Sequence, residues 1–155
     1  MTFSLNEVIK AIDKDLELVV NNLERKLFLS PELDFLFLKK DSSELEALLS
    51  YLLELFIGSV YHVNGFDDLP FELKPKKIII TSEFEEKHIR ITLTYPEGDY
   101  KSNLDNPQFS AMQDTLYDSF GGSLEVYEIE GAVTYLIKIK TEFKQLFYPI
   151  ATQKQ

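Results

Sequence analysis

Residues 41–61 read DSSELEALLSYLLELFIGSVY, and they decide the fold because no other stretch offers so wide an apolar helical face. Leu45, Leu48, Leu49, Leu52, Leu53, Phe56 and Ile57 recur at three- and four-residue steps, the spacing that stacks side chains along one side of a helix. Asp41, Ser42 and Ser43 offer a cap, and Glu44 and Glu46 place negative charge in the first turn, where the helix dipole favours it. The spacing predicts a helix over residues 43–61, stopped by Asn64-Gly65. So broad a face makes this helix the core element around which the rest must pack.

Upstream, Leu5, Ile9, Ile12, Leu16, Val19 and Leu23 alternate at four and three residues, with Lys10, Asp13, Lys14, Glu17 and Glu24 between them. The pattern predicts an amphipathic helix over residues 6–26 within an N-terminal unit of residues 1–28. A stripe of about three heptads suits packing on the chain's own domain or pairing with another helix, in a homodimer or a partner, and both stay open. Those six apolar residues are the candidate interface. Ser30-Pro31 breaks the helix, and residues 33–38 are expected to form a short apolar strand.

Downstream of the central helix, residues 66–75 carry Asp67, Asp68, Pro70 and Pro75 and read as a loop. Residues 77–84 and 88–95 form a predicted hairpin, since Ile89, Ile91 and Leu93 alternate with Arg90, Thr92 and Thr94. A third helix is expected over residues 107–120, opened by Pro107 and stopped by Gly121-Gly122. Strands at residues 123–129 and 132–140 meet in a turn at Glu130-Gly131, and residues 142–155 form a tail. With strands in hairpins and helices arriving singly, the economical packing is an α+β two-layer sandwich. Its helices lie on one face of a mixed, largely antiparallel sheet, over a domain of residues 29–141.

Composition removes several function classes. The 155 residues hold 26 Asp and Glu against 16 Lys and Arg, a formal charge of −10, which disfavours nucleic acid and anionic membrane surfaces as partners. The absence of cysteine excludes disulfides, thiolate catalysis and Cys-based metal sites. No secretion signal is read at the N-terminus, and apolar runs stop at Lys39 or Glu54, short of the roughly 18 residues of a membrane span. A cytoplasmic location is expected.

The order of elements, together with local sequence, resembles the ATP-binding domain of sensor histidine kinases and the wider gyrase, chaperone, kinase and mismatch-repair ATPase superfamily. Residues 41–57 look like the family's N-box helix, D-x-x-x-L-x-x-V-L-x-N-L-L-x-N-A. Residues 117–126, Tyr117 to Val126 through Gly121-Gly122, look like its late glycine segment, and residues 131–139, beginning Gly131-Ala132-Val133-Thr134, stand where it has G-x-G-T-x-F-x-I-x-L. The resemblance covers roughly residues 30 to 140 and implies a histidine-kinase-like fold in a two-component signalling setting. It also implies where the nucleotide machinery would lie, and there the sequence departs. The magnesium-holding asparagines fall on Tyr51 and Leu55; an aliphatic chain cannot replace an amide oxygen as a ligand. The adenine-binding aspartate falls on Tyr95 and its following glycine on Glu97, with Asp99 the one acid that a shifted loop would bring in. The phosphate lid would span residues 97–106, which hold one glycine, Gly98, and the acids Glu97, Asp99 and Asp105.

The remaining chemistry is sparse. His62 follows the central helix and His88 opens a strand, a pairing without metal-ligand spacing; a phosphoacceptor role for His62 is the sharper of its readings and a helix-end surface residue the blander. Acidic clusters at Asp13-Asp15-Glu17, Asp67-Asp68 and Glu83-Glu85-Glu86 lack the form of a calcium loop. No catalytic residue, cofactor or metal is expected. The function expected is a noncatalytic regulatory or adaptor domain working through protein contacts, with a response regulator or a kinase as partner. The alternatives are a nucleotide-binding kinase or anti-sigma-like ATPase with rearranged ligands, and a histidine phosphotransfer protein.

Overall fold

Ser4 opens the first helix with a reciprocal cap: its hydroxyl accepts from the Glu7 amide at 3.2 Å, and the Glu7 carboxylate accepts from the Ser4 amide at 3.4 Å. The computed structural model describes residues 3–39, 41–96 and 98–150. Helix α1 runs Leu5–Val19 and stops seven residues earlier than its spacing predicts. Asn22 turns the chain with a left-handed φ of 56°, and Leu23–Leu29 becomes strand β1. Leu23 continues the helical spacing by coincidence, because the first inward residue of the strand falls where the next helical position would have been.

The turn also settles which way the apolar stripe faces. Leu5, Ile9, Ile12, Leu16 and Leu23 are buried in the chain's own core, and only Val19, 51% exposed, reaches solvent. The six-residue interface expected from the sequence is therefore corrected. Five of its six residues are consumed inside the domain, and the division at residue 28 falls within β1. The strand expected at residues 33–38 is corrected as well. Pro31–Phe35 forms a 3-10 turn, after which Phe37 and Leu38 make isolated bridges to Ser4 and Phe147 that tie both ends of the chain to this segment.

Helix α2, Ser43–Tyr61, matches its predicted bounds. The stretch Ser43–Asp68 that contains it is, by length and composition alone, long and apolar enough to cross a membrane, with a mean hydropathy of 1.2, so the expectation that no stretch would be is corrected. Eleven of its residues are buried, from Leu45 to Val60, and the apolar surface that gives this hydropathy is turned into the domain. Strands β2 (Lys76–Glu85) and β3 (His88–Tyr95) form the expected hairpin, helix α3 covers Pro107–Phe120, and β4 (Ser123–Ile129) and β5 (Ala132–Lys140) close the sheet. The β4–β5 turn uses Glu130 and Gly131 at φ 50° and 81°, the pair of left-handed residues that a two-residue hairpin turn demands.

The sheet order is β1-β2-β3-β5-β4, with β1 parallel to β2 and every other pair antiparallel. The parallel pair is reached by a crossover through α2. All three helices lie on one side, so the fold expected from the sequence holds: an α+β sandwich with a mixed sheet and a single helical layer. Alternate strand positions face that layer, among them Ile78, Ile80, Ile91, Leu93, Tyr135 and Ile137, all buried. Burying each such side chain contributes about 1.5–3 kcal/mol. Tyr135 of β5 meets Phe56 of α2 and Phe109 of α3 edge-on at 5.2 and 5.9 Å, joining both helices to the sheet. Gly122 lets β5 pass close by: a Cβ there would lie 2.2 Å from the Lys138 carbonyl.

Candidate functional site

Three pieces of chain converge where the resemblance would place a nucleotide: the second half of α2, the end of β3, and residues 98–106. Leu55, at one N-box asparagine position, is 2% exposed, and Tyr51, one turn earlier on the same side, is partly open to solvent. Tyr95, at the adenine-aspartate position, is buried at 6%. Its ring lies on the core face of β3 because the alternation Ile89, Ile91, Leu93, Tyr95 carries it inward. Glu97 lies outside the described residues. Gly98 then crosses the Tyr95 hydroxyl so closely, at φ 132°, that a Cβ there would collide with it at 2.0 Å.

From Gly98 the segment is fastened across α2 by specific bonds. The Ser59 hydroxyl donates to the Lys101 carbonyl at 2.6 Å, and the Lys101 amide donates to the Ser59 carbonyl at 2.9 Å. Buried Asn103 donates through Nδ2 to the Leu55 carbonyl at 3.0 Å. Gly58 makes room for this approach: a Cβ there would stand 3.4 Å from that same Nδ2 and 2.5 Å from the Val63 carbonyl. The Tyr100 hydroxyl pKa is raised by loss of solvent first and by the nearby Glu128 carboxylate second. Asn106 then caps α3 by accepting from the Gln108 amide at 2.9 Å. The segment expected to be a phosphate lid is laid against the helix it would have covered.

The base of the site is a lysine held by aromatic rings. Lys76 donates from Nζ to the Val60 carbonyl at 2.9 Å and lies over the rings of Tyr61 and Tyr95, 5.4 and 5.3 Å from their centroids. The Tyr61 hydroxyl is buried without a hydrogen-bond partner among the described residues. Burial, and secondarily Tyr95, pushes its pKa from 10.0 up to about 12.

The backbone trace can be set beside solved structures. It superposes on the Acinetobacter baumannii histidine kinase AdeS with a TM-score of 0.65 at 15% identity, over 92% of this chain and 67% of that one. It superposes on the catalytic domain of histidine kinase ThkA with a TM-score of 0.61 at 20% identity, over 90% of this chain and 95% of that one. The mycobacterial sensor histidine kinase MprB gives 0.60 at 12% identity, over 90% of this chain and 97% of that one. The chain has the fold of a histidine kinase catalytic domain. A longer ThkA structure, in complex with the response regulator TrrA, matches over 90% of this chain and 41% of that one at 19% identity. No family model matches the sequence, and no curated protein matches it.

On this histidine kinase fold the two histidines stay apart from one another. His62 caps the C-terminus of α2 in a left-handed conformation, φ 61°, and its Nε2 lies 3.5 Å from the Asp99 carboxylate, with both groups solvent-exposed. Asp99, the acid that a shifted loop would have carried to the adenine position, instead faces this histidine. His88 lies exposed at the hairpin turn, opposite Glu85 and Lys140. Among the described residues no group of three His, Asp or Glu gathers at metal-binding distance. A hollow of about 700 Å³ opens at the start of β1 and β2 between Asn22, Arg25, Lys76 and Lys77, and shares Tyr95 and Lys76 with the site.

Sequence reasoning located Tyr51, Leu55 and Tyr95 but missed Ser59, Lys76 and Asn103, the side chains that fasten the site. Ser59 sat inside an apolar helix and Asn103 inside a polar loop, and each becomes meaningful only when its partner 42 or 48 residues away is known.

Proposed function

We propose that this is a noncatalytic regulatory domain of histidine kinase fold, acting through protein contacts in two-component signalling. What supports the reading is that the chain packs on itself where the resemblance would place a nucleotide. Residues 98–106 are bonded to α2 through Ser59 and the Leu55 carbonyl, and Leu55 and Tyr95 stand where the resemblance would call for an amide and a carboxylate. A triphosphate would have to break the Ser59 and Asn103 bonds and then meet an aliphatic side chain in place of a magnesium ligand. The carboxylates of Asp99 and Asp105 would oppose it further.

The partner class is inferred from the fold. ThkA is solved with a response regulator, and a response regulator or a kinase is the partner proposed for this domain. Calorimetric titration with Mg·ATP tests the noncatalytic reading. No heat is expected up to millimolar nucleotide, and saturable binding in the micromolar range would overturn it in favour of an ATPase with rearranged ligands.

A further inference from the structure

The helices cover one face of the sheet, and among the described residues no helix covers the other, where Leu136 is buried by its neighbours on the sheet and the outer-strand side chains are open. The strand registers place side chains there in rows. One row runs Lys26, Ile79, Thr94, Thr134, Tyr127; the next runs Phe28, Thr81, Thr92, Leu136, Glu125. Eight of these ten side chains are uncharged, and the two charges, Lys26 and Glu125, sit on the outer strands. Threonine hydroxyls pair across strands, Thr81 with Thr92 and Thr94 with Thr134, so their polar atoms satisfy one another and their methyl groups remain. Phe28 is 60% exposed, Tyr127 44%, and Ile129 beyond the rows 63%. Charged rows flank this centre, with Glu24 opposite Lys77 on one side and Glu83, Arg90 and Lys138 on the other. An uncharged centre with a charged rim is the anatomy of a protein interface.

Charge chooses the occupant. The bare face carries Lys26, Lys77, Arg90, Lys138 and Lys140 against Glu24, Glu83, Glu85 and Glu125, a balance of +1. Two of these carboxylates are matched within the face, Glu85 with Arg90 at 3.1 Å and Glu125 with Lys138 at 3.9 Å. The other eleven cations and twenty-two carboxylates of the chain sum to −11. Two copies of so acidic a protein repel over most of their surface, and this face, with a net charge of only +1, is where that repulsion is weakest. Five strands about 4.8 Å apart and some 7 residues of about 3.3 Å rise make a face of roughly 24 by 23 Å. That is about 550 Å² in projection, some two-thirds of the ~800 Å² of accessible surface that each partner gives to a standard interface.

The geometry points to a second copy of this chain as the occupant, packed sheet face to sheet face across a two-fold axis with the helical layers outward. The rows of Ile79, Phe28, Tyr127 and the threonine methyls then form the centre of a four-layer dimer, as in packed β-sandwiches.

Sedimentation velocity of the full chain and of three variants tests this. Phe28→Glu with Tyr127→Glu puts four carboxylates at the ends of the dimer's two uncharged rows, on the outer strands, and dimerisation is expected to weaken at least tenfold. Leu18→Glu, on the exposed side of α1, is expected to change it less than twofold. Should the double variant lose its fold by circular dichroism, Thr92→Lys at the middle of the face replaces it with the same expectation. A chain that stays monomeric up to about 1 mM overturns the inference. So does a dimer that survives the bare-face substitutions, or one that Leu18→Glu disrupts equally.

Discussion

Leu16→Ala separates two roles for the first helix. Leu16 lies on the stripe that a sequence reader would assign to a partner, yet it is buried at 2% exposure among Ile12, Val20 and the face of α2. Removing three buried carbons forfeits about 2.4 kcal/mol at ~0.8 kcal/mol per methylene. The cavity left behind brings the cost to roughly 3–4 kcal/mol, within the usual range for buried leucines. For a chain of this size each kcal/mol moves Tm by about 2–4 °C, so a fall of about 10 °C is expected. Leu18→Ala, two residues away at 84% exposure, should stay within about 0.5 kcal/mol. The assay is urea or thermal unfolding followed by circular dichroism at two protein concentrations a hundredfold apart. If the stripe is core, the loss is the same at both. A loss below about 1 kcal/mol, or one that shrinks as protein is concentrated, would refute the burial argument and return the stripe to an intermolecular interface.

Two further outcomes are expected. Asn103→Ala removes the donor to the Leu55 carbonyl and should cost about 1–2 kcal/mol. Amide exchange should quicken selectively in residues 98–106, and unchanged exchange there would mean the segment is not fastened through this bond. Tyr61→Phe deletes a buried hydroxyl without a partner, so stability at neutral pH should hold or rise slightly. The same variant reports on alkaline behaviour. In the unfolded chain Tyr61 releases its proton near 10, but in the folded chain it keeps it up to about 12, so stability falls as pH rises through that window. Unfolding curves from pH 9 to 12 should show a shallower decline in Tyr61→Phe, and an identical slope would show that the hydroxyl is solvated.

The legibility of the chain tracks the distance over which each feature is decided. Helices α2 and α3 and the β4–β5 hairpin fall at their predicted bounds because their signals are local: a three-four apolar face, Pro107 at a first turn, Gly121-Gly122 at a stop. The end of α1 is not legible in the sequence because Leu16, Val19 and Leu23 satisfy helical spacing whether or not the chain turns, and the turn rests on Asn22, whose side chain donates to the Leu73 carbonyl 51 residues on. Residues 33–38 fit a strand or a turn equally in sequence, being mostly apolar, and the network of Asn6 with Ser30, Asp34 and Ser82 selects the 3-10 turn.

The amino-acid pattern by itself determined helices α2 and α3, the two hairpins and the single helical layer, and on the resemblance it sets Tyr51, Leu55 and Tyr95 where that family has asparagine and aspartate. Each of these depends on spacing within one segment or on the chemistry of one side chain. Tertiary structure alone decided that the N-terminal stripe is spent inside the core, that β1 pairs in parallel with β2, that residues 98–106 lie bonded to α2, and that an uncharged face is left bare. Those outcomes depend on which surfaces meet, and hydrophobic burial is indifferent to whether the partner surface belongs to the same segment, a distant one or another molecule. Only the packed chain, with its directional hydrogen bonds from Asn22, Asn103 and Ser59, chooses among them.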